Sequence, residues 1–456
     1  MGRGRGTVAD KVTLNVGGKR FETSRATIAR AGRESMLGAM IHPDWNFSDQ
    51  QGQGHGGEEY FIDRNPAYFA PLLDFLRTGE LHIPPNMSEK ALYREALYYG
   101  LIDSIHMTRW GRLDGNRVEL ATSVRGRATG DAAAIRADGH GGCCVAHGSM
   151  VHVYDWTMEE LPPLSLHYNA VNDVGFLDPQ RLVITTCASV DKPGRGGMAS
   201  FNTRTGKMQH KFELCDSGHQ VNFRAGALCS GDGHVYASCR GRSDEHGLGV
   251  WDQVTGQQLD FFCEALGDAG KLQWLSTGRL LAVSTLFPRS DRGHVSLVDF
   301  RCRSVVWSWT EQHQADKIVL DNVALEDYAT ICVVNQFDHI GFIDMRINGQ
   351  QGQQGHVKWS HRNRPGNASN VEEKCYSKLA ACGSQLFSTS NGGVNVLCGP
   401  DWVLTSQLRN KGGGGGGGEI SDIAVGGDRL FVLHNEENLF DVWETPNLVN
   451  ACYDDA

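Results

Sequence analysis

The feature that most constrains the fold of this chain is a short β-type run that recurs seven times after residue 150 and closes, in most copies, on an acidic or amide residue. The copies are Val151–Asp155 (VHVYD), Met198–Asn202 (MASFN), Leu248–Asp252 (LGVWD), Val295–Asp299 (VSLVD), Ile340–Asp344 (IGFID), Val394–Cys398 (VNVLC) and Phe440–Glu444 (FDVWE). Six intervals separate residue 155 from residue 444, so the repeat is roughly 48 residues long, a length typical of propellers and solenoids. The array lies entirely behind a different kind of sequence, residues 8–105.

Each full repeat contains four β-type runs, as expected of one propeller blade. In the second copy they are Val171–Leu177, Arg181–Cys187, Met198–Asn202 and Met208–Leu214. The turn Asn202–Gly206 recurs as Asp252–Gly256, where the first side chain accepts backbone N–H bonds and the glycine takes the left-handed conformation. Because Trp251-Asp252 also matches the WD dipeptide, the region resembles a seven-bladed WD40-like β-propeller.

The last copy supplies only three runs, so the seventh blade lacks a strand. We expect Arg117–Thr122 (RVELAT), which precedes the first copy, to pair with Phe440–Trp443. This pairing would join the two ends of the array and remove its exposed sheet edges. The predicted propeller therefore spans residues 116–446, between a linker at 106–115 and a tail at 447–456.

The head, residues 8–105, has the pattern of an α+β domain. A strand-like alternation runs up to Gly17-Gly18, which makes a two-residue turn into a second strand. Helix signals follow, with capping hydroxyls, a proline near one helix start and terminal glycines. The predicted elements are strands Lys11–Val16, Lys19–Thr23 and Glu59–Asp63, and helices around Thr27–Arg33, Asn65–Gly79 and Glu89–Tyr99.

The head resembles the BTB/POZ fold of the potassium-channel-tetramerisation type. The matching segments are LNVGGKRFET (14–23), SMLGAMI (35–41), YFIDRNPAYFAPLLDFLRTGEL (60–81) and EALYYGLID (95–103). The resemblance implies self-association into a ring, most simply of four or five copies. In many members it also implies docking onto a cullin-3 scaffold through the segment that corresponds here to His42, Asp44, Trp45, Phe47 and Tyr60. A glycine- and glutamine-rich insertion at 49–57 departs from the family pattern and leaves cullin binding open.

Two other interpretations of the head are excluded because the residues that they require are absent. A phosphate-binding loop at Gly17-Gly18-Lys19 would need a glycine at position 13 and a serine or threonine at position 20, where Thr13 and Arg20 stand. The zinc cluster found in some channel tetramerisation domains needs cysteine, and no cysteine precedes Cys143.

Three successive copies carry long charged loops between their second and third runs, at 190–197, 240–247 and 288–293. Loops joined this way lie on one face of a propeller, and arginine suits carboxylate or phosphate contacts. We predict a target-binding face here, although solvated loop tips would have the same composition. The residues are Lys192, Arg195, Arg240, Arg242, Arg289 and Arg292.

Composition narrows the function further. The net charge of −10 argues against nucleic-acid binding, and no apolar run suggests a membrane span. The 13 scattered cysteines indicate a reducing compartment, cytoplasmic or nuclear. His140, Cys143, Cys144, His147 and His152 lack zinc-site spacing, and no catalytic motif or cofactor fingerprint is present.

These observations predict a non-catalytic adaptor of a cullin-3-type ubiquitin ligase, whose head oligomerises and docks while the propeller holds an unknown target protein. The alternative is a non-degradative oligomeric scaffold or a channel-type auxiliary subunit. The two share the same folds, so the fold does not separate them.

Overall fold

The structure is a computed structural model with two compact units, of which the second spans Leu113–Thr445 and the first contains the residues before it. It describes residues 11–33, 35–41, 59–102, 104–105, 113–127, 132–168, 170–187, 196–216, 219–221, 223–240, 246–262, 268–311, 318–347, 357–360, 377–390, 393–409, 419–435 and 438–446.

The first unit is an α+β domain with a three-stranded sheet in the order β2-β1-β3, in which β1 and β2 form the predicted hairpin and β3 runs parallel to β1. Phe69 is fully buried, and its ring lies 5.1 Å from Phe21 and 5.0 Å from Tyr99, which joins the hairpin to both long helices. The elements are β1 Lys11–Val16, β2 Lys19–Ser24, α1 Arg25–Ala29, α2 Met36–Met40, β3 Glu59–Ile62, α3 Pro66–Thr78 and α4 Glu89–Tyr99.

The helix boundaries in this unit follow from capping chemistry. The Asn65 side chain accepts the N–H of Ala67 at the start of α3, and the Ser88 hydroxyl accepts the N–H of Ala91 at the start of α4. Both helices end at a left-handed glycine, Gly79 or Gly100. Ser24 caps α1, which begins and ends a few residues before the helix predicted around Thr27–Arg33.

The second unit consists of seven antiparallel sheets, the blades, together with a short extra hairpin, β12–β13. Blade 1 is β5 Ala132–Ala137, β6 Cys143–His147 and β7 Met150–Tyr154. Blade 2 is β8 Ala170–Asp178, β9 Arg181–Cys187, β10 Gly196–Asn202 and β11 Met208–Phe212, and the hairpin that follows is β12 Leu214–Asp216 and β13 His219–Val221. Blade 3 is β14 Arg224–Gly231, β15 His234–Arg240, β16 His246–Asp252 and β17 Gln258–Phe262.

Blade 4 is β18 Lys271–Leu275, β19 Leu280–Thr285, β20 His294–Asp299 and β21 Ser304–Thr310. Blade 5 is β22 Val319–Leu325, β23 Thr330–Asn335, β24 Ile340–Asp344 and β25 Lys358–Ser360. Blade 6 is β26 Leu379–Cys382, β27 Gln385–Ser390, β28 Gly393–Cys398 and β29 Val403–Leu408. Blade 7 is β30 Ile420–Gly426, β31 Arg429–His434 and β32 Leu439–Glu444, completed by β4 Glu119–Arg125.

The blades form a closed ring, because the first strand of each blade contacts the first strand of the next and β30 of blade 7 contacts β5 of blade 1. Each of the seven interfaces between blades in the described residues holds one cluster of buried apolar side chains. Stacking of neighbouring repeats therefore builds the core, as expected of a propeller.

The ring is closed by a strand from before the first blade. β4 pairs with β32, with Leu120 opposite Trp443 and Val124 opposite Phe440. The predicted strand, Arg117–Thr122, overlaps β4 but begins two residues earlier. Within this blade, the Ser123 hydroxyl donates to Asp441 at 2.5 Å, and the other Asp441 oxygen lies 3.0 Å from Nε2 of His434.

The predicted turn chemistry at the end of the third strands is present. In blade 3, Oδ1 of Asp252 accepts the N–H groups of Val254 and Thr255, and Gly256 has a φ of 70°. These hydrogen bonds, led by the one from the Thr255 backbone, hold the pKa of Asp252 below its ordinary value. The acidic residue that ends this run thus has a structural role in the turn.

Three aspartates on first strands bridge neighbouring blades. Asp173 of blade 2 accepts the N–H of Leu228 in blade 3 at 3.0 Å, while Arg136 of blade 1 donates to it at 2.8 Å. Asp321 of blade 5 likewise joins blades 4 and 6, accepting from Lys271 at 2.9 Å and from the N–H of Leu379 at 2.8 Å. Each of these carboxylates thereby ties its own blade to both neighbours.

The third bridge lies at the ring closure. Asp422 of blade 7 accepts the N–H of Ile135 at 3.1 Å and an N–H of Arg136 at 2.7 Å, both in blade 1. Burial by itself raises the pKa of Asp422, but the positive charges of Arg136 and Lys378 outweigh it, so the pKa lies below its ordinary value. Burial lowers the pKa of Arg136, and the carboxylates of Asp173 and Asp422 reverse this to a net rise. Arg136 and Asp422 therefore both stay ionised in the folded protein.

We expect Asp321→Asn to destabilise the propeller by about 2–4 kcal/mol, because it leaves the Lys271 ammonium without its charged partner in a largely buried site. The matched control is Asp344→Asn, an aspartate whose ion pair with Arg346 is exposed, for which we expect less than about 1 kcal/mol. Urea unfolding followed by tryptophan fluorescence measures both. Equal losses in the two variants would contradict a structural role for the bridge.

Candidate functional interface

The loops that join second to third strands, and those that link one blade to the next, emerge on the same side of the propeller. This follows from the antiparallel order of the four strands, since the first strand begins where the second ends. We call this side the upper face. The two extra strands β12 and β13 also belong to it, because they lie in the link from blade 2 to blade 3.

The structure places three of the six residues predicted for the target-binding face. Lys192, Arg195 and Arg242 lie outside the described residues. Arg240 ends β15, while Arg289 and Arg292 lie in the loop between β19 and β20 of blade 4. All three are on the upper face, so the prediction that these loops share a face is consistent with the strand order.

Arg289 has a structural contact that the sequence did not predict. Its Nη1 donates to Oδ1 of Asp268 at 2.9 Å and to the carbonyl oxygen of Ala269 at 3.2 Å, in the link that leads into β18. The side chain is 28% exposed, so this arginine fixes the start of the blade rather than extending into solvent. Arg292, in the same loop, is exposed.

Arg240 belongs to a row of basic residues across blade 3. It lies directly opposite Arg224 of β14 on one side and opposite His246 of β16 on the other. Directly opposite residues of antiparallel strands project from the same face of the sheet. We call Arg224, Arg240 and His246 the basic row.

The basic row faces blade 4. Along β15, alternate residues share a face, and Ser238 and Tyr236 lie on the same face as Arg240. The Ser238 hydroxyl donates to the Ala269 carbonyl of blade 4, and the Tyr236 ring stacks on Trp274 of blade 4 at 5.1 Å. Consistently, Nδ1 of His246 lies 4.0 Å from Asp268.

Sequence reasoning missed Arg224, His246 and Asp268, although two of them carry a signal. Arg224 and His246 begin strands of the third repeat, immediately after upper-face segments. An end-of-strand position opposite a predicted arginine would have singled them out. The bridging aspartates were missed too, and their signal is an apolar residue two places before an aspartate in a first run: Val171 before Asp173, Val319 before Asp321 and Ile420 before Asp422.

In the head, Tyr60 lies in β3 and is half-buried beside Leu14 of β1. The other predicted cullin-docking residues, His42, Asp44, Trp45 and Phe47, lie outside the described residues. The sheet order leaves β3 at an edge, and Phe61 on this strand is 66% exposed. This is an exposed apolar side chain on the domain expected to self-associate.

Arg64, just after β3 in the head, makes both an ion pair and a contact with an aromatic ring. The Arg64 guanidinium makes a two-point ion pair with Glu95, with Nη2 to Oε1 at 2.7 Å, and lies 4.2 Å from the centre of the Tyr98 ring. The hydrogen bonds that Arg64 donates to Glu95 raise the pKa of Arg64. Tyr98 is itself 43% exposed, so this surface offers an aromatic and a guanidinium together.

The adjacent cysteines of blade 1 point to opposite sides, as the strand period predicted. Cys143 packs in the cluster shared with blade 7 and Cys144 in the cluster shared with blade 2. Burial raises the pKa of both thiols. No group of three or more metal-ligating side chains occurs among the described residues, and no helix among them has the length and apolar character needed to cross a membrane.

Comparison with known proteins shows that both units match protein families. A family model described as "At2g24240-like, C-terminal beta propeller" matches residues 126–445, and one described as "BTB/POZ domain" matches residues 12–108. The chain is 48% identical over 450 residues to the BTB/POZ domain-containing protein At2g24240 of Arabidopsis thaliana, covering 97% of this chain and 99% of that protein. It is 49% identical over 445 residues to At4g30940 of the same plant, covering 96% and 98%.

A human BTB/POZ protein is similar to part of this chain. BTB/POZ domain-containing protein KCTD17 of Homo sapiens is 38% identical over 100 residues, which cover 22% of this chain and 30% of that protein. Relatives with a BTB/POZ domain therefore occur outside plants.

We expect Arg289→Ala to destabilise the propeller by about 1–2 kcal/mol, because Asp268 and the Ala269 carbonyl lose their shared donor. Arg292→Ala, in the same loop but exposed, should change stability by less than about 0.5 kcal/mol. Urea unfolding of the two variants tests the assignment. If Arg289→Ala is as stable as Arg292→Ala, Arg289 is available for a partner as the sequence suggested.

Proposed function

Since this chain belongs to the family of BTB/POZ-domain proteins with an At2g24240-like C-terminal propeller, we propose that it is a substrate adaptor of a cullin-3-type ubiquitin ligase. In this proposal the head self-associates and docks to the cullin, and the propeller recruits the target protein. The adaptor brings target lysines close to a ubiquitin-conjugating enzyme held by the cullin and performs no chemistry itself.

The observation that carries the proposal is the combination of an interaction head and a closed seven-bladed ring in one chain. Each unit has its own buried core, and each presents a surface suited to protein contacts: the edge strand with Phe61 on the head, and the charged upper face on the propeller. A BTB domain followed by a propeller fits an interaction protein with two binding activities. The docking of the head to a cullin is the part that the resemblance adds.

Self-association predicts that Phe61→Asp converts the full-length protein from a ring to a monomer, because a charge would replace an apolar side chain at the contact. The matched control is Phe337→Asp, which changes another exposed phenylalanine, 43% accessible, on the propeller. Light scattering coupled to size-exclusion chromatography gives the mass of each. An unchanged assembly in Phe61→Asp would exclude this surface as the contact.

Cullin docking predicts that the full-length protein binds the purified N-terminal domain of cullin-3 with a Kd of about 1 µM or below by isothermal titration calorimetry. Replacing His42 and Asp44 with alanine together should weaken this binding at least about tenfold, because hydrogen-bonding groups at the contact are lost. Replacing His82 and Glu80 with alanine likewise removes one histidine and one carboxylate elsewhere on the head and should have no effect.

One result would contradict the ligase role, and another would contradict the position of the cullin contact. If the wild-type protein binds no cullin-3 yet still forms a ring, the oligomeric scaffold or channel-type auxiliary subunit is the better assignment. If both double variants bind as tightly as wild type, the cullin contact lies elsewhere on the head.

A further inference from the structure

The turn between the third and fourth strands differs in charge from blade to blade. In blades 4 and 5 it opens with an aspartate that forms an ion pair, at 2.7 Å, with the arginine two places later: Asp299 with Arg301 and Asp344 with Arg346. In blade 2 the opening residue is Asn202, a neutral amide, and Arg204 follows two places later. Arg204 therefore has no carboxylate in its own turn.

Arg204 begins a short run of cations on the outside of blade 2, which we call the cationic edge: Arg204, Lys207 and Lys211. All three side chains are exposed, and none of them forms an ion pair among the residues that the structure describes. Lys207 immediately precedes β11, the outer strand of the blade, and Lys211 lies within it. Three unpaired cations close together, in a chain of net charge −10, create a local potential that favours an anion.

Two side chains of β11 project toward blade 1. Lys211 lies directly opposite Ala199 of β10, and Met208, which is 54% exposed, lies directly opposite Phe201. Ala199 and Phe201 belong to the apolar cluster that blade 2 shares with blade 1. Because directly opposite residues project from the same face of a sheet, Lys211 and Met208 also point to the side of blade 1.

A groove of about 580 Å³ lies beside the cationic edge, between blades 1 and 2. On the side of blade 2 it is lined by Gly206, in the turn that also contains Arg204. A Cβ added at Gly206 would lie 3.2 Å from Cβ of Pro162, so glycine lets this turn come close to blade 1. The other lining residues are Ser149, Met150, Pro163, Ser165, His167 and Tyr168.

Hydrogen bonds and packing fix the blade 1 wall of this groove. The Ser165 hydroxyl donates to the Ser149 carbonyl at 3.0 Å and accepts the N–H of His167 at 3.0 Å. The Tyr168 ring lies close to β10, since a Cβ added at Gly197 would be 3.3 Å from its Cε2 atom. The groove is therefore preformed, and it combines apolar and aromatic lining with cations along one side, as binding grooves commonly do.

We propose that the groove and the cationic edge bind an extended acidic segment of a partner protein. Its aspartate or glutamate side chains contact Arg204, Lys207 and Lys211, and an apolar side chain between them enters the groove beside Met150 and Tyr168. Lys207 and Lys211 are four residues apart, about 13 Å of extended chain, so carboxylates on both sides of the apolar residue reach them. The inference rests on the proposed function only in taking the propeller as the recruiting unit.

The test measures the fluorescence anisotropy of a fluorescein-labelled heptapeptide, with leucine at the centre and glutamate at the other six positions, mixed with the full-length protein. We expect saturable binding that weakens as salt is raised. A matched peptide with six glutamines should bind at least about tenfold more weakly, because its charge is lost. Serine in place of the leucine should weaken binding at least about threefold, because the groove loses its apolar contact.

The most specific variant is Asn202→Asp, which gives blade 2 the aspartate that opens the turn in blades 4 and 5. The new carboxylate should pair with Arg204, so binding should weaken about threefold although no cation is removed. Thermal unfolding should match the wild type, because Asp252 makes the same hydrogen bond to the turn of blade 3 that Asn202 makes in blade 2. Unchanged affinity would contradict the contact with Arg204.

Removal of the whole cationic edge tests the remaining contacts. The triple variant should weaken binding at least about tenfold, because three charge-assisted contacts are lost; it consists of Arg204→Gln, Lys207→Gln and Lys211→Gln. The control removes the same charge from exposed residues of blades 4 and 5 and should bind within about twofold of wild type; it consists of Arg301→Gln, Arg346→Gln and Lys358→Gln.

Five outcomes would overturn the proposal. Wild-type protein that does not bind the glutamate peptide, or equal loss of binding in the two triple variants, would exclude a specific site. Equal binding of the glutamine peptide would assign the groove to neutral segments. Binding more than about tenfold tighter with phosphoserine in place of the leucine would assign it to phosphate.

The fifth outcome concerns a second copy of this chain as the occupant. If light scattering gives a smaller assembly for the triple variant of the cationic edge than for the wild type, this edge is a contact between copies. None of the peptide measurements involves the cullin, so a failure of cullin docking leaves the test unaffected.

Discussion

The ring depends on three buried carboxylates, of which Asp173 and Asp321 each hold together three successive blades and Asp422 joins the last blade to the first. A propeller blade contacts only its two neighbours, so the alignment of one blade on the next must be fixed locally at each interface. Apolar clusters supply most of the burial, but apolar contacts are non-directional. A carboxylate that accepts a specific backbone N–H from the next blade fixes the height of one first strand against the other.

The cost of burying these charges explains their arrangement. An isolated carboxylate in a largely dry interface would be strongly disfavoured, so each one has both a cation and a backbone donor. At the ring closure, Arg136 serves Asp173 and Asp422 at once, and the net rise in its pKa shows that the two carboxylates outweigh burial. The closure of the ring, where the last blade meets the first, therefore has an ion pair and a backbone hydrogen bond in addition to its apolar cluster.

The sequence predicted the architecture because each repeat carries its own local signals. The Asp252 turn, the Ser24 cap and the terminal glycines all act over a few residues, and all are present in the structure. The closing strand begins two residues later than predicted, because Arg117 ends a turn in which its N–H donates to the Asp114 carbonyl. The basic row and the Asp268 contact of Arg289 depend on strand register and on pairing between blades, which a period of about 48 residues does not specify.

The interface between blades 3 and 4 is held by a different set of charged contacts. The first strand of blade 3 contains no carboxylate, and ion pairs outside the first strands join this blade to blade 4, between Asp232 and Arg279 and between Asp260 and Arg303. A contact between the propeller and a partner protein can be weak for each propeller and still be effective, because self-association of the heads would present several propellers to one partner and raise the effective concentration. An adaptor of this kind needs no deep pocket. A selective contact on one face of each propeller, repeated in every copy, is sufficient.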